Sequence, residues 1–85
     1  MVVVLLPGLL ATEAGGQKRF ELDAATLNEA LRALPVADLV LDERGEVRPL
    51  VHVYVDGDRA HDLAAPLSPA ARVRIVAAIA GGQTA

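Results

Sequence analysis

The stretch "LVHVYVDGD", residues 50 to 58, leaves the backbone few options. Val51, Val53 and Val55 alternate with His52 and Tyr54, so an apolar and a polar face separate only if the chain is extended. The β-branched valines favour that conformation. Asp56-Gly57 then supplies a pair that tolerates two successive positive φ angles, as a two-residue hairpin turn requires. The chain is therefore expected to fold back, with Arg59-Ala60-His61 as a short return strand. A lone hairpin is marginal in water. More sheet must exist, together with something apolar to cover the valine face.

The rest of the chain supplies both. Val2-Val3-Val4-Leu5-Leu6 is a continuous β-branched run, expected to be a strand with neighbours on both sides. Pro7-Gly8 interrupts it, and Leu9-Leu10-Ala11 is expected to continue irregularly. Gly15-Gly16 provides a turn that can reach positive φ. In "QKRFEL" an edge strand is expected, antiparallel to the first, with Phe20 and Leu22 inward. "ATLNEALRALP" reads as a helix: Thr26 and Glu29 form a capping box, Leu27, Ala30, Leu31 and Leu34 share one face, and Pro35 ends it. This helix should cross the sheet. Asp42-Glu43-Arg44-Gly45 reads as a turn between two short extended pieces.

Local rules conflict in the last third. "SPAARVRIVAAIAGG" offers a serine N-cap, a proline at the first helical position and glycine past the end. "VRIV" also alternates as a strand, with Val73 and Ile75 opposite Arg72 and Arg74. Propensity slightly favours helix. Gly81-Gly82 would then be a helix cap and residues 83 to 85 its frayed end.

Composition excludes several classes. With no cysteine, neither disulfides nor thiolate zinc sites can hold the fold together. Eight basic and eleven acidic side chains give a net charge of −3, and one Phe with one Tyr offers little for base stacking, so no nucleic-acid partner is expected. The apolar start lacks a basic leader and is too short to span a bilayer, so no membrane partner and a cytoplasmic location are expected. No Walker lysine, calcium loop or nucleophile–base constellation is present, so no catalytic residue and no bound cofactor are expected. His52 and His61 lack acidic partners at ligand spacing, so both read as solvated strand residues and no metal site is expected.

The segments "GGQKRFEL", "ATLNEALRAL", "GEVRPLVHVYVDGD" and "VRIVAAIAGG" together resemble the small ubiquitin-like sulfur carriers of the ThiS/MoaD family. The first and third look most like the CysO-type carriers of cysteine biosynthesis in actinobacteria. The resemblance implies an α+β, β-grasp domain over residues 1–80, a mixed sheet of four to five strands with one main helix packed across it. It also implies a flexible tail over residues 81–85. It reverses the local reading and makes residues 73 to 76 a central strand. Phe20, Leu22, Leu27, Leu31, Leu34, Val53, Val55, Val73 and Ile75 should then form one core. The family places a Gly-Asp turn before its last strand. This chain has "SPAAR", which leaves the conformation of residues 68 to 72 open.

The resemblance further implies a protein substrate and not an enzyme. An E1-like adenylating enzyme would spend ATP on the carboxylate of Gly82, and a sulfur donor would replace AMP to leave a thiocarboxylate for a sulfur-acceptor enzyme. The pathway served, whether cysteine, thiamine, molybdopterin or a sulfur-containing secondary metabolite, is left open. Gly81 and Gly82 suit a narrow channel because they carry no Cβ. Gln83-Thr84-Ala85 would first have to leave, as in family precursors clipped by a zinc-dependent, JAMM-type protease. Docking is expected on the sheet face near the last strand, through Arg72, Arg74, Tyr54 and His52. The alternative is a non-catalytic β-grasp interaction module with an inert tail.

Overall fold

The computed structural model describes residues 1–77. Its elements run β1 (Val2–Leu5), α1 (Gly8–Glu13), β2 (Arg19–Leu22), α2 (Leu27–Arg32), α3 (Ala37–Val40), β3 (Val51–Val55), β4 (Asp58–Arg59) and β5 (Arg72–Ala77). The strands form one sheet in the order β2-β1-β5-β3-β4. Only β1 and β5 are parallel, so the sheet is mixed, and the edge strand β2 is antiparallel to β1 as its sequence suggests. The helices cover one face. This is the β-grasp arrangement, an α+β fold.

Alternation decides which side chains meet the helices. Val2 and Val4 of β1, Val51 and Val53 of β3, and Val73 and Ile75 of β5 are buried. Leu27, Ala30 and Leu31 of α2 are fully buried against them, and Leu34 follows. Phe20, Leu22 and Val55 pack at the margin of this core. All nine expected core residues thus take part. Leu6, Leu10, Ala11, Val36, Val40 and Leu41 join them.

The capping box at α2 forms. Thr26 Oγ1 accepts from the Glu29 N–H at 3.2 Å, and Glu29 Oε1 accepts from the Ala25 N–H at 2.9 Å, one residue before the cap. The amides of Leu27 and Asn28 donate to the Ala65 and Leu63 carbonyls, so the helix start is stitched to the strap that leads into β5. Thr26→Ala should cost about 1 kcal/mol. Urea unfolding should show a lower midpoint with an unchanged slope.

Three local readings need correction. Leu9-Leu10-Ala11 is helical, not an irregular continuation of β1. Pro7 is the N-cap, and Gly15 and Gly16 close the helix: Gly16 N–H donates to the Ala11 carbonyl at 2.7 Å and Gly15 N–H to Thr12 at 3.3 Å. With φ of 78° and 92°, these glycines form a Schellman cap. Before the Asp42–Gly45 turn the chain is helical at Ala37–Val40, not extended, and only Leu41 pairs with Val47 beyond it. The helical turn buries Val36 and Val40 while keeping Asp38 outside; an extended chain would place all three on one side. The return strand is Asp58–Arg59, shorter than expected, and His61 lies beyond it.

The Asp42 turn itself is as expected. Its carboxylate accepts from the backbone N–H groups of Glu46 and Arg44, at 3.0 and 2.9 Å. The Glu46 bond above all holds its pKa below the usual value. Residues 68 to 71 form a turn in which Ala71 N–H donates to the Ser68 carbonyl, with Pro69 second, and Arg72 already begins β5. Serine then proline starts a helix or a turn equally well, which is why the local signals conflict there. β5 follows as a strand, as the resemblance implies.

Candidate functional site

The face of the sheet away from the helices is open, and strand register decides what it displays. In β5, Val73 and Ile75 point inward, so Arg72, Arg74 and Val76 point outward and are exposed. Arg74 is paired with Leu5 of β1 on one side and with Tyr54 of β3 on the other. Leu5 is in turn paired with Arg19, and Tyr54 with Arg59. One row thus crosses all five strands: Arg19, Leu5, Arg74, Tyr54, Arg59.

The β3–β4 hairpin fixes the near end of this face. Asp56 and Gly57 have φ of 52° and 90°, the two positive values of the favoured hairpin turn. Asp56 Oδ1 accepts from the Arg72 N–H at 3.0 Å, and Asp56 N–H donates to the Arg72 carbonyl at 2.9 Å. The turn is thereby locked to the start of β5. A shallow recess of about 670 Å³ lies between them, lined by Leu5, Tyr54, Asp56, Gly57, Arg72, Arg74 and Val76.

Three of the four expected docking residues, Arg72, Arg74 and Tyr54, therefore line one recess. His52 shares their face, paired with Val76. It borders a neighbouring depression with Arg59 and His61 instead. His52 is half-buried, and its shielded Nδ1 has no hydrogen-bond partner, so it is not the freely solvated side chain expected from its polarity. Gly81 and Gly82 lie outside the described residues. Leu5, Val76, Arg19 and Arg59 were not anticipated at the site. Their alternation was visible in the sequence, but only strand order sets them beside Arg74.

Among the described residues no cluster of three or more His, Cys, Asp or Glu could hold a metal ion, and no helix is long and apolar enough to cross a membrane. The open face carries Arg19, Arg59, Arg72 and Arg74 against Glu21 and Asp56, whereas the whole chain carries −3. Glu21 is itself engaged by Arg19 at 2.8 Å. Acidic residues thus predominate over the rest of the chain.

Comparison with known proteins accords with this geometry. The model of the ThiS family matches residues 4–82. CysO of Mycobacterium tuberculosis superposes with a TM-score of 0.82 at 24% identity, covering 93% of this chain and all of that one. A structure of the BexX/CysO complex of Amycolatopsis orientalis gives 0.79 at 26% identity, covering 96% of this chain and 100% of the other. SAMP1 of Haloferax volcanii gives 0.75 at 26% identity, covering 95% and 98%. No curated protein matches the chain. A β-grasp body matched along nearly its whole length, by a family model that runs through Gly82, leads to one conclusion: the chain belongs to the ThiS family, and its fold is that of the ubiquitin-like sulfur carriers and modifiers.

Proposed function

We propose that this protein is a sulfur carrier whose reacting group is the Gly82 carboxylate, exposed by removal of Gln83-Thr84-Ala85. The observation that carries this reading is where the family match ends: it runs through Gly82 and leaves the last three residues outside. The carboxylate attacks the α-phosphorus of ATP on an E1-like enzyme, releasing pyrophosphate and forming an acyl adenylate. A sulfur donor then displaces AMP, and the product is a thiocarboxylate that a sulfur-acceptor enzyme consumes. While residues 83–85 remain, the Gly82 carbonyl is an amide and cannot be adenylated, so a zinc-dependent protease acts first. The carrier itself contributes no acid, base or metal.

The body must contribute the specificity, because two glycines present only backbone to a partner. The Arg72–Arg74–Tyr54 recess is the docking surface, with His52 at its border; Arg and Tyr combine large contact area with directional hydrogen bonds. The Amycolatopsis CysO structure is of a complex with BexX, which supports a carrier of this shape working with a protein partner. In the chain ending at Gly82, Arg74→Ala and Tyr54→Ala should each raise the apparent KM for the adenylating enzyme by roughly fivefold or more, equivalent to about 1 kcal/mol. Unchanged steady-state kinetics in both variants would place the docking surface elsewhere.

Similarity to SAMP1, a small archaeal modifier protein, favours a second reading in which the activated Gly82 is joined to an amine on another protein. Both readings share adenylation and part afterwards. Intact mass of protein purified from its own host tests them together. The carrier reading expects a species ending at Gly82, part of it with sulfur in place of one oxygen. The modifier reading expects conjugates of higher mass. If every molecule kept Ala85 and no partner enzyme shortened it, the tail would be inert and the domain an interaction module.

A further inference from the structure

We infer that the partner element seated on the open face is an acidic amphipathic helix, with carboxylates seven residues apart and an apolar side chain midway between them. The inference deepens the docking surface proposed above and rests on that face being a partner surface. It starts from the row Leu5, Arg74, Tyr54, Arg59, which the pairing register places on four adjacent strands.

Adjacent strands lie about 4.8 Å apart, so Arg74 and Arg59 leave the sheet about 9.6 Å apart with Tyr54 between them. A helix rises 1.5 Å per residue, so positions seven apart are separated by about 10.5 Å, and the third or fourth residue between them by about 4.5–6 Å. Acid, apolar, acid on one helical face therefore meets arginine, tyrosine, arginine. A further apolar residue one turn earlier meets Leu5. An extended partner strand fits worse: its same-face residues recur every 6.6 Å or so, and fall between the cations. The sheet's twist turns the face by about 20–25° per strand, or about 40–50° from Arg74 to Arg59. Two long, exposed arginine side chains can absorb that rotation.

Charge points the same way. Arg59, Arg72 and Arg74 gather on one face of a chain that is acidic overall, while Glu21 is turned to Arg19 and the Asp56 carboxylate to the Arg72 backbone. Such a face attracts an acidic partner and fixes its orientation before the apolar contacts close. A nucleic acid is a poorer occupant, because Leu5 and Val76 make part of the recess apolar and Tyr54 is the only aromatic residue lining it.

The test titrates the full 85-residue chain, isotopically labelled, with a helix-stabilised synthetic peptide carrying glutamate at every seventh position and leucine midway. Amide shifts should centre on β1, β5, β3 and β4, and the affinity should fall several-fold as salt is raised from low to physiological strength. Arg74→Glu should reduce affinity tenfold or more. A peptide with lysine in place of glutamate should ignore the native chain and bind the Arg59→Glu/Arg74→Glu variant, whose spectrum reports that it is folded. The inference is overturned if the acidic peptide does not bind, if Arg74→Glu leaves binding unchanged, if a peptide with the same glutamates unevenly spaced binds as well, or if single-stranded RNA binds the same residues more tightly. The unclipped chain is used, so the result does not depend on adenylation at Gly82, and either reading can fail alone.

Discussion

Leu31→Ala will destabilise the domain by about 2–5 kcal/mol, the range for truncating a fully buried leucine. Leu31 has no exposed surface and lies on the face of α2 that meets the sheet, in the same cluster as Val4, Val53, Val73 and Ile75. The loss combines two costs: the side chain's transfer from water is forfeited, and the cavity left behind can close only as far as its neighbours can move. Those neighbours are β-branched residues fixed in sheet register, so collapse is restricted. A domain of this size has about 5–15 kcal/mol in hand at most, so truncating one buried leucine removes a large share. Denaturant unfolding should show a lower midpoint at nearly constant slope. A loss below about 1 kcal/mol would mean that α2 is not seated on the sheet as described.

The second large effect is chemical and leaves the fold alone. In a chain ending at Gly82, Gly82→Ala should leave unfolding unchanged, because the buried core among the described residues runs from Val2 to Ile75. It should nonetheless lower the rate of adenylation by about a hundredfold, the loss that misplacing a reacting group can cause. The added methyl restricts the backbone and widens the end of the chain just where a channel must admit it. Unfolding and single-turnover adenylation measured on the same sample separate the two effects. Equal adenylation rates would show that the enzyme tolerates a side chain at the reacting position.

Most of the fold was legible in the sequence where two independent signals agreed. α2 had a capping box and a helical apolar face, and both act in the structure; the helix ends at Arg32, shortly before Pro35. β3 had alternation and an Asp-Gly turn, and both positive φ values appear there. The sequence misled where one signal served two structures. Gly15-Gly16 reads as a turn in the sequence, and in the structure it caps a helix hidden behind Pro7-Gly8. Proline there both ends the strand and, as N-cap, starts the next helix. Ser68-Pro69 posed the same ambiguity and closed as a turn, which freed Arg72–Ala77 to become a central strand.

The site was legible by residue and not by arrangement. With residues 73 to 76 a strand, as the family resemblance implies, alternation places Arg72 and Arg74 outward, and it places Tyr54 on the polar side of its own strand. It could not say that β1 would lie parallel beside β5, and so it could not place Leu5 or Arg19 in the same row as Arg74. Strand order is set by long-range pairing, which leaves no local mark. His52 illustrates the other gap. Its polarity suggested solvent, but its neighbours in the sheet shield one ring nitrogen.

The central claim is that Gly82 reacts only after Gln83-Thr84-Ala85 has gone. ATP–pyrophosphate exchange with the matching adenylating enzyme tests it most directly, comparing the chain stopped at Gly82 with the full 85-residue chain. The stopped chain should support exchange at once. The full chain should support none until a protease removes the last three residues, after which its exchange should match that of the stopped chain. Equal exchange by the stopped and untreated full chains would contradict the claim, because the carboxylate being activated would then not be that of Gly82.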